Sequence, residues 1–151
     1  PGWAFKNNGI MFHAQAPETM LIDQNFPVSI EAQLLGGNGT EERPTANVCT
    51  PGTDILIDGQ MAEAHCISAE APTIHGEEWV TFELEVRGDS IIHHLINGDT
   101  VMSYSKPQVG GDLPEGYAYP EGTPITSGYS APQAESHPYE FRKVELQDLS
   151  R

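Results

Sequence analysis

Trp79-Val80-Thr81-Phe82-Glu83-Leu84-Glu85-Val86-Arg87 decides the fold class. Val80, Phe82, Leu84 and Val86 share one parity, and Trp79, Thr81, Glu83, Glu85 and Arg87 share the other. This is the period-two pattern of a strand with one buried and one wet face. Residues 90–96 and 100–104 are two further apolar runs, joined through Asn97-Gly98. That dipeptide predicts a hairpin, because a type I′ turn needs positive φ at both central positions.

Outward from this hairpin the pattern recurs. In residues 27–35, Val28, Ile30, Ala32 and Leu34 alternate with Ser29, Glu31 and Gln33. Ile10, Phe12 and Ala14 alternate with Met11, His13 and Gln15, and residues 54–57 form a short run closed by the turn signal Asp58-Gly59. Near the end, residues 139–141 and 144–146 alternate out of phase, predicting two strand pieces around a β-bulge at Arg142 and Lys143. Helical periodicity is confined to one turn at residues 62–65, and residues 106–127 read as one long loop rich in Gly, Pro and Tyr. The 151 residues hold 15 glycines and 12 prolines, which fall between short alternating runs. Together these features predict one all-β domain over residues 1–151, an antiparallel β-sandwich of jelly-roll type.

The formal net charge of −15 argues against nucleic acid and anionic membrane surfaces as partners, because both require a basic patch. No run of about 18 apolar residues predicts membrane insertion. The chain opens Pro1-Gly2-Trp3 without Met, so the start reads as processed or truncated. Cys49 and Cys66 admit two readings, buried thiols in a reducing compartment or a disulfide in an oxidising one.

Parity also singles out candidate chemistry. Gln133, Glu135 and His137 project from one face of an extended segment, as do Glu31 and Gln33 of theirs. Two polar rows, each with a carboxylate, suit a sugar on a concave sheet face; equally, they suit the ordinary wet side of an antiparallel sheet. Of the six histidines, His13 and His137 lie on the polar parity, whereas adjacent His93 and His94 must face opposite sides. Surface or core roles suit His65, His75 and at least one of that pair. No His spacing demands a metal. Asn38-Gly39-Thr40 matches a glycosylation pattern that matters only in a eukaryotic secretory setting. A nucleophile elbow, a P-loop and a dinucleotide fingerprint are all missing from the sequence.

Five segments, in order, resemble the 3-keto-disaccharide hydrolase domain family. They are the run from Asn7 to His13, Ser29 to Leu35 with its Glu-x-Gln strand, Asn47 to Thr53 with His65-Cys66, His94 to Gly98, and Gln133 to Val144. The resemblance implies a concanavalin A-like sandwich in a bacterial protein that is secreted or periplasmic, and with it a Cys49–Cys66 disulfide. Family members usually carry strands before the Asn-Gly-Ile segment, so the chain is expected to lack its N-terminal strands. Pro132 stands where the family has a plain apolar strand, and predicts an edge or a bulge.

The implied activity is cleavage of 3-keto-glycosides by removal of the C2 proton, elimination at C1 and hydration. Such a route needs a base, an acid and an enolate stabiliser. The expected assignments are Glu31 or Glu135 as base, and His137 as acid or oxyanion partner. Asn8, His13, Gln33, Gln133 and Arg142 are expected to contact substrate, with a surface salt bridge as the competing role of Arg142. A divalent metal ion is a possible cofactor, with His13 as a potential ligand. The competing functions are a non-catalytic carbohydrate-binding module, with Tyr104, Tyr117, Tyr119 and Tyr129 as platforms, and a structural assembly subunit that uses the long loop.

Overall fold

The computed structural model describes residues 4–149. Ten strands follow in chain order: β1 Asn7–Ala14, β2 Ile30–Leu35, β3 Asn47–Cys49, β4 Thr53–Ile57, β5 Gln60–Met61, β6 Cys66–Ile67, β7 Phe82–Arg87, β8 Ile91–Ile96, β9 Asp99–Val109 and β10 Tyr129–Ala134. They form two five-stranded antiparallel sheets, ordered β10-β1-β2-β3-β6 and β5-β4-β9-β8-β7. Phe12, Ile30, Ala32 and Val48 of the first sheet meet Ile55, Ile92, Met102 and Tyr104 of the second in a shared core. The expected β-sandwich is therefore the observed one.

The predicted hairpin is β8–β9, with Asn97 and Gly98 both at positive φ. Asn97 also donates its main-chain N–H to Thr81 O and accepts Thr81 N–H on its side chain. This turn captures the main chain ahead of Phe82, which is why β7 starts there rather than at Trp79. A buried polar bridge spans the two sheets. His94 is wholly buried; its Nδ1 lies 2.8 Å from Ala46 O, and its Nε2 lies 2.8 Å from the Tyr104 hydroxyl. Because a carbonyl can only accept, Nδ1 carries the proton and Tyr104 donates to Nε2. Burial holds the His94 pKa down at about 4, so the ring is neutral at pH 7. His94 is thus a satisfied core histidine.

Four expectations are corrected. Residues 139–141 and 144–146 are not strands. They lie outside both sheets, Val144 and Leu146 are 73% and 97% exposed, and Tyr139 packs edge-on against Phe141. Alternation has no force without a partner strand to satisfy the backbone. The loop expected from residue 106 begins later, because Lys106 takes a positive φ and lets β9 continue to Val109, where it pairs with β4. Residues 62–65 form no helix, and the single helical turn among the described residues is a 3-10 turn at Pro17–Thr19. Tyr104 cannot serve as a sugar platform, since it is 2% exposed. Pro132 does sit on an edge strand, β10, where a missing N–H costs no ladder bond.

Candidate active site

The face of the first sheet turned away from the core carries the candidate site. Directly paired residues in antiparallel strands share a face. Gly9 pairs with Gln33 on one side and Gln133 on the other, Met11 pairs with Glu31, Glu31 with Cys49, and Gln33 with Asn47. Glu135 continues this row, its N–H donating to Asn7 O at 3.1 Å. The fold thereby brings Glu31, Gln33, Gln133 and Glu135 together from segments about 100 residues apart, as the 102-residue separation of Gln133 and Glu31 shows.

Within this face the polar groups are ordered. Gln133 Nε2 donates to Glu31 Oε1 at 2.6 Å. A Cβ built on Gly9 would stand 2.7 Å from the same Oε1 and 2.7 Å from Ala32 O, so glycine is what lets the Glu31 carboxylate cross β1. Ala69 N–H donates to Asn47 Oδ1, and Asn47 Nδ2 donates to Gln33 Oε1 at 3.2 Å. The relay leaves the Gln33 amide NH2 as a donor. Glu31 is only 5% exposed, and burial together with the nearby negative charge of Glu135 pushes its pKa up to about 7 against the pull of the Gln133 hydrogen bond. Two buried oxygens, Asn7 Oδ1 and Glu135 Oε2, have no hydrogen-bond partner. Leaving a buried oxygen unpaired is costly.

The remaining expected site residues are placed as follows. His137 Nδ1 accepts the Lys6 N–H at 3.0 Å and its ring packs edge-on against Phe5, so in the neutral ring Nε2 carries the proton. Asn8 pairs with Leu34 and Ala134, on the face opposite Glu31. It is Asn7 that shares the site face, and it is 3% exposed. The run Asn7-Asn8-Gly9 contained both residues, and the shared parity of Asn7 with Gly9 was the available signal. His13 is not brought to this face, because a register shift between Met11 and Ala14 and a positive φ at His13 turn it so that Nε2 lies 3.1 Å from Gly88 O. Arg142 is not brought there either; its guanidinium lies 4.2 Å from the Trp79 ring centre, a cation–π contact rather than a salt bridge. Asn47 and Gly9 were missed as site residues, since only the strand register reveals their place.

The disulfide is present: Cys49 and Cys66 are cross-strand partners of β3 and β6. Cys49 is also the register partner of Glu31, so the bridge borders the site. No group of three His, Cys, Asp or Glu side chains among the described residues converges as a metal site would require. His13, the potential ligand, lies against Gly88 and away from the face that carries Glu31.

A family model described as the 3-keto-alpha-glucoside-1,2-lyase-like domain matches residues 2–147. The chain belongs to this family. No curated protein and no solved structure gives a significant match. Membership makes a sugar the expected class of substrate for this 3-keto-glycoside lyase-like domain. No helix among the described residues is long and apolar enough to cross a membrane.

Proposed function

We propose that the protein cleaves 3-keto-glycosides by elimination and hydration on the face around Glu31, in a concanavalin A-like domain. The observation that carries this reading is the buried Glu31 carboxyl with its pKa near 7, held over Gly9 by Gln133 beside Glu135. A base poised near neutrality combines a useful ionised fraction with the strength to take a carbon-bound proton.

The C3 ketone acidifies the C2 proton. Glu31 takes that proton, and the C2–H electron pair forms the C2=C3 bond of an enolate. The Gln33 amide NH2, aimed by the Asn47 relay, donates to the C3 oxygen as it gains charge. The enolate then re-forms the ketone, the C1–O bond breaks with its electrons on the leaving oxygen, and a C1=C2 double bond results. His137, through Nε2–H, is the acid for the leaving oxygen. Water adds its oxygen to C1 and gives up a proton that restores Nε2–H of His137, while protonated Glu31 returns its proton to C2. Glu135 and Asn7 accept hydrogen bonds from sugar hydroxyls through their unpartnered oxygens. A disulfide is the chemistry of an oxidising compartment, which supports a secreted or periplasmic location.

Incubation with a 3-keto-glucoside tests the reading directly. Release of the leaving group is expected, with exchange of the C2 proton for solvent deuterium. Sugar binding without release above buffer would instead establish a binding module.

A further inference from the structure

The chain holds three Asn-Gly pairs, at residues 8–9, 38–39 and 97–98. In such a pair the glycine nitrogen can attack the asparagine side-chain carbon, because glycine puts no side chain in the way. Gly9 is locked between β2 and β10, and Gly98 closes the β8–β9 hairpin. Asn38-Gly39 instead lies on the loop that leaves β2, half-buried at Asn38 and exposed at Gly39. That loop is ordered. Gly36 bridges Ile74, Gly37 N–H donates to Ile74 O at 2.7 Å, and Arg43 N–H donates to the Thr73 hydroxyl at 2.7 Å. The same 73–75 segment brings up His75, which can approach because Gly37 has no Cβ to run into its Nδ1.

Three sets of contacts meet at this pair. Gly39 N–H donates to His75 Nδ1 at 3.1 Å. An unprotonated ring nitrogen therefore stands within reach of the proton that a base must remove to make that nitrogen a nucleophile. Asn38 Oδ1 accepts from Thr40 N–H at 3.1 Å, the Thr40 hydroxyl at 3.2 Å and Glu41 N–H at 2.9 Å. Donors gathered on a carbonyl oxygen stabilise the charge it gains when its carbon is attacked. Asn38 Nδ2 donates to Glu41 Oε2 at 2.5 Å, which fixes the orientation of the amide. The other two pairs lack this set. Asn97 Oδ1 accepts from Thr81 N–H, and of the three glycines only Gly39 donates to a ring nitrogen among the described residues.

We propose that Asn38 is a self-modifying residue, converted to aspartate and isoaspartate through a cyclic imide with His75 as the base. His75 Nδ1 takes the Gly39 proton as that nitrogen attacks Asn38 Cγ. The N–Cγ bond forms, and the carbonyl electron pair moves onto Oδ1, held by its three donors. The pair then returns, the Cγ–Nδ2 bond breaks, and the proton held by His75 passes to Nδ2, which departs as ammonia. Water reaches the exposed loop and opens the imide at Cγ or at the main-chain carbon. The first opening gives aspartate and the second isoaspartate, and water is the sole reactant consumed. Either product adds a negative charge beside Glu41 and Glu42 and loses the Nδ2 contact to Glu41, so the loop that leaves β2 loosens. This chemistry is independent of the sugar site.

The test follows the intact protein at neutral pH and body temperature. Samples are digested over time, and positions 8, 38 and 97 are read by mass spectrometry beside a synthetic peptide of residues 36–42. Asn38 is expected to convert about tenfold faster in the protein than in the peptide, and faster than Asn8 and Asn97, with ammonia released in step. His75→Ala, a change at an exposed position, should slow Asn38 by about tenfold, and imidazole added to the buffer should restore part of the rate. A side chain that merely propped the loop would not be replaced by free imidazole. Conversion in the protein no faster than in the peptide, an unchanged rate in His75→Ala, or a variant that ignores imidazole overturns the proposal.

Discussion

Glu31 on β2 and Gln133 on β10 meet at 2.6 Å across β1, the strand that separates them. The contact exists because the residue beneath it, Gly9, has no side chain. A carboxylate, an amide and a glycine on three adjacent strands thus form one unit, and its parts can be altered separately.

Gly9→Ala should break that unit. The added methyl would lie 2.7 Å from both Ala32 O and Glu31 Oε1, so the carboxylate must swing off and the strands must part slightly. A loss of about 1–3 kcal/mol in unfolding free energy is expected from overpacking. Activity should fall further than stability does, as denaturant titration and cleavage assays run on the same protein would show.

The pH profile should report the neighbours of Glu31 with opposite signs. If Glu31 is the base, kcat/KM rises with pH through about 7. Glu135→Gln removes a nearby negative charge and should shift that limb to lower pH. Gln133→Ala removes a hydrogen bond that favours the ionised form and should shift it to higher pH. Two shifts of the same sign would contradict the arrangement.

Glu31→Gln should trade stability against activity. A group whose folded pKa is raised from 4.5 to about 7 holds its full stabilising contribution below pH 4.5 and loses it as pH rises to 7. Replacing it with neutral Gln should therefore stabilise the protein at pH 8 by about 1–3 kcal/mol. The rate of leaving-group release should drop about 10²–10⁴-fold. Thermal unfolding at pH 8, run beside the assay, checks both halves.

His94 should govern acid stability. Its folded pKa is lowered from 6.5 to about 4, so its contribution is fully present above 6.5 and is lost as pH falls to 4. In the native protein this slope opposes that of Glu31 between pH 4.5 and 6.5. In Glu31→Gln the His94 slope stands alone, and stability should fall by roughly 3 kcal/mol from pH 6.5 to 4. Tyr104→Phe leaves His94 Nε2 buried without its donor and should cost about 1–3 kcal/mol at neutral pH.

Reduction of the Cys49–Cys66 bridge should lower stability by about 3 kcal/mol on the chain-entropy account of the 17-residue separation. Because Cys49 pairs with Glu31 and the bridge anchors the two-residue β6, activity should fall on reduction at a temperature where the protein stays folded. Activity before and after treatment with a thiol, followed alongside circular dichroism, measures it.

The sequence by itself determined the all-β sandwich and the Asn97-Gly98 hairpin, and it narrowed Pro132 to an edge or a bulge. These are local properties: side-chain period, turn chemistry and a missing N–H act within a few residues. Parity even placed Glu31 with Gln33, and Gln133 with Glu135, before any contact was known. What it did not contain is register. Only the pairing of β1 with both β2 and β10 put Asn7 rather than Asn8 on the site face, set Gly9 under the Glu31 carboxylate and gave Asn47 its relay to Gln33. A bulge likewise turned His13 to Gly88, and the tail carried Arg142 to Trp79. A shift of one residue exchanges the faces of a strand. Which polar groups share a surface is therefore fixed by long-range hydrogen bonding between strands, which no local pattern encodes.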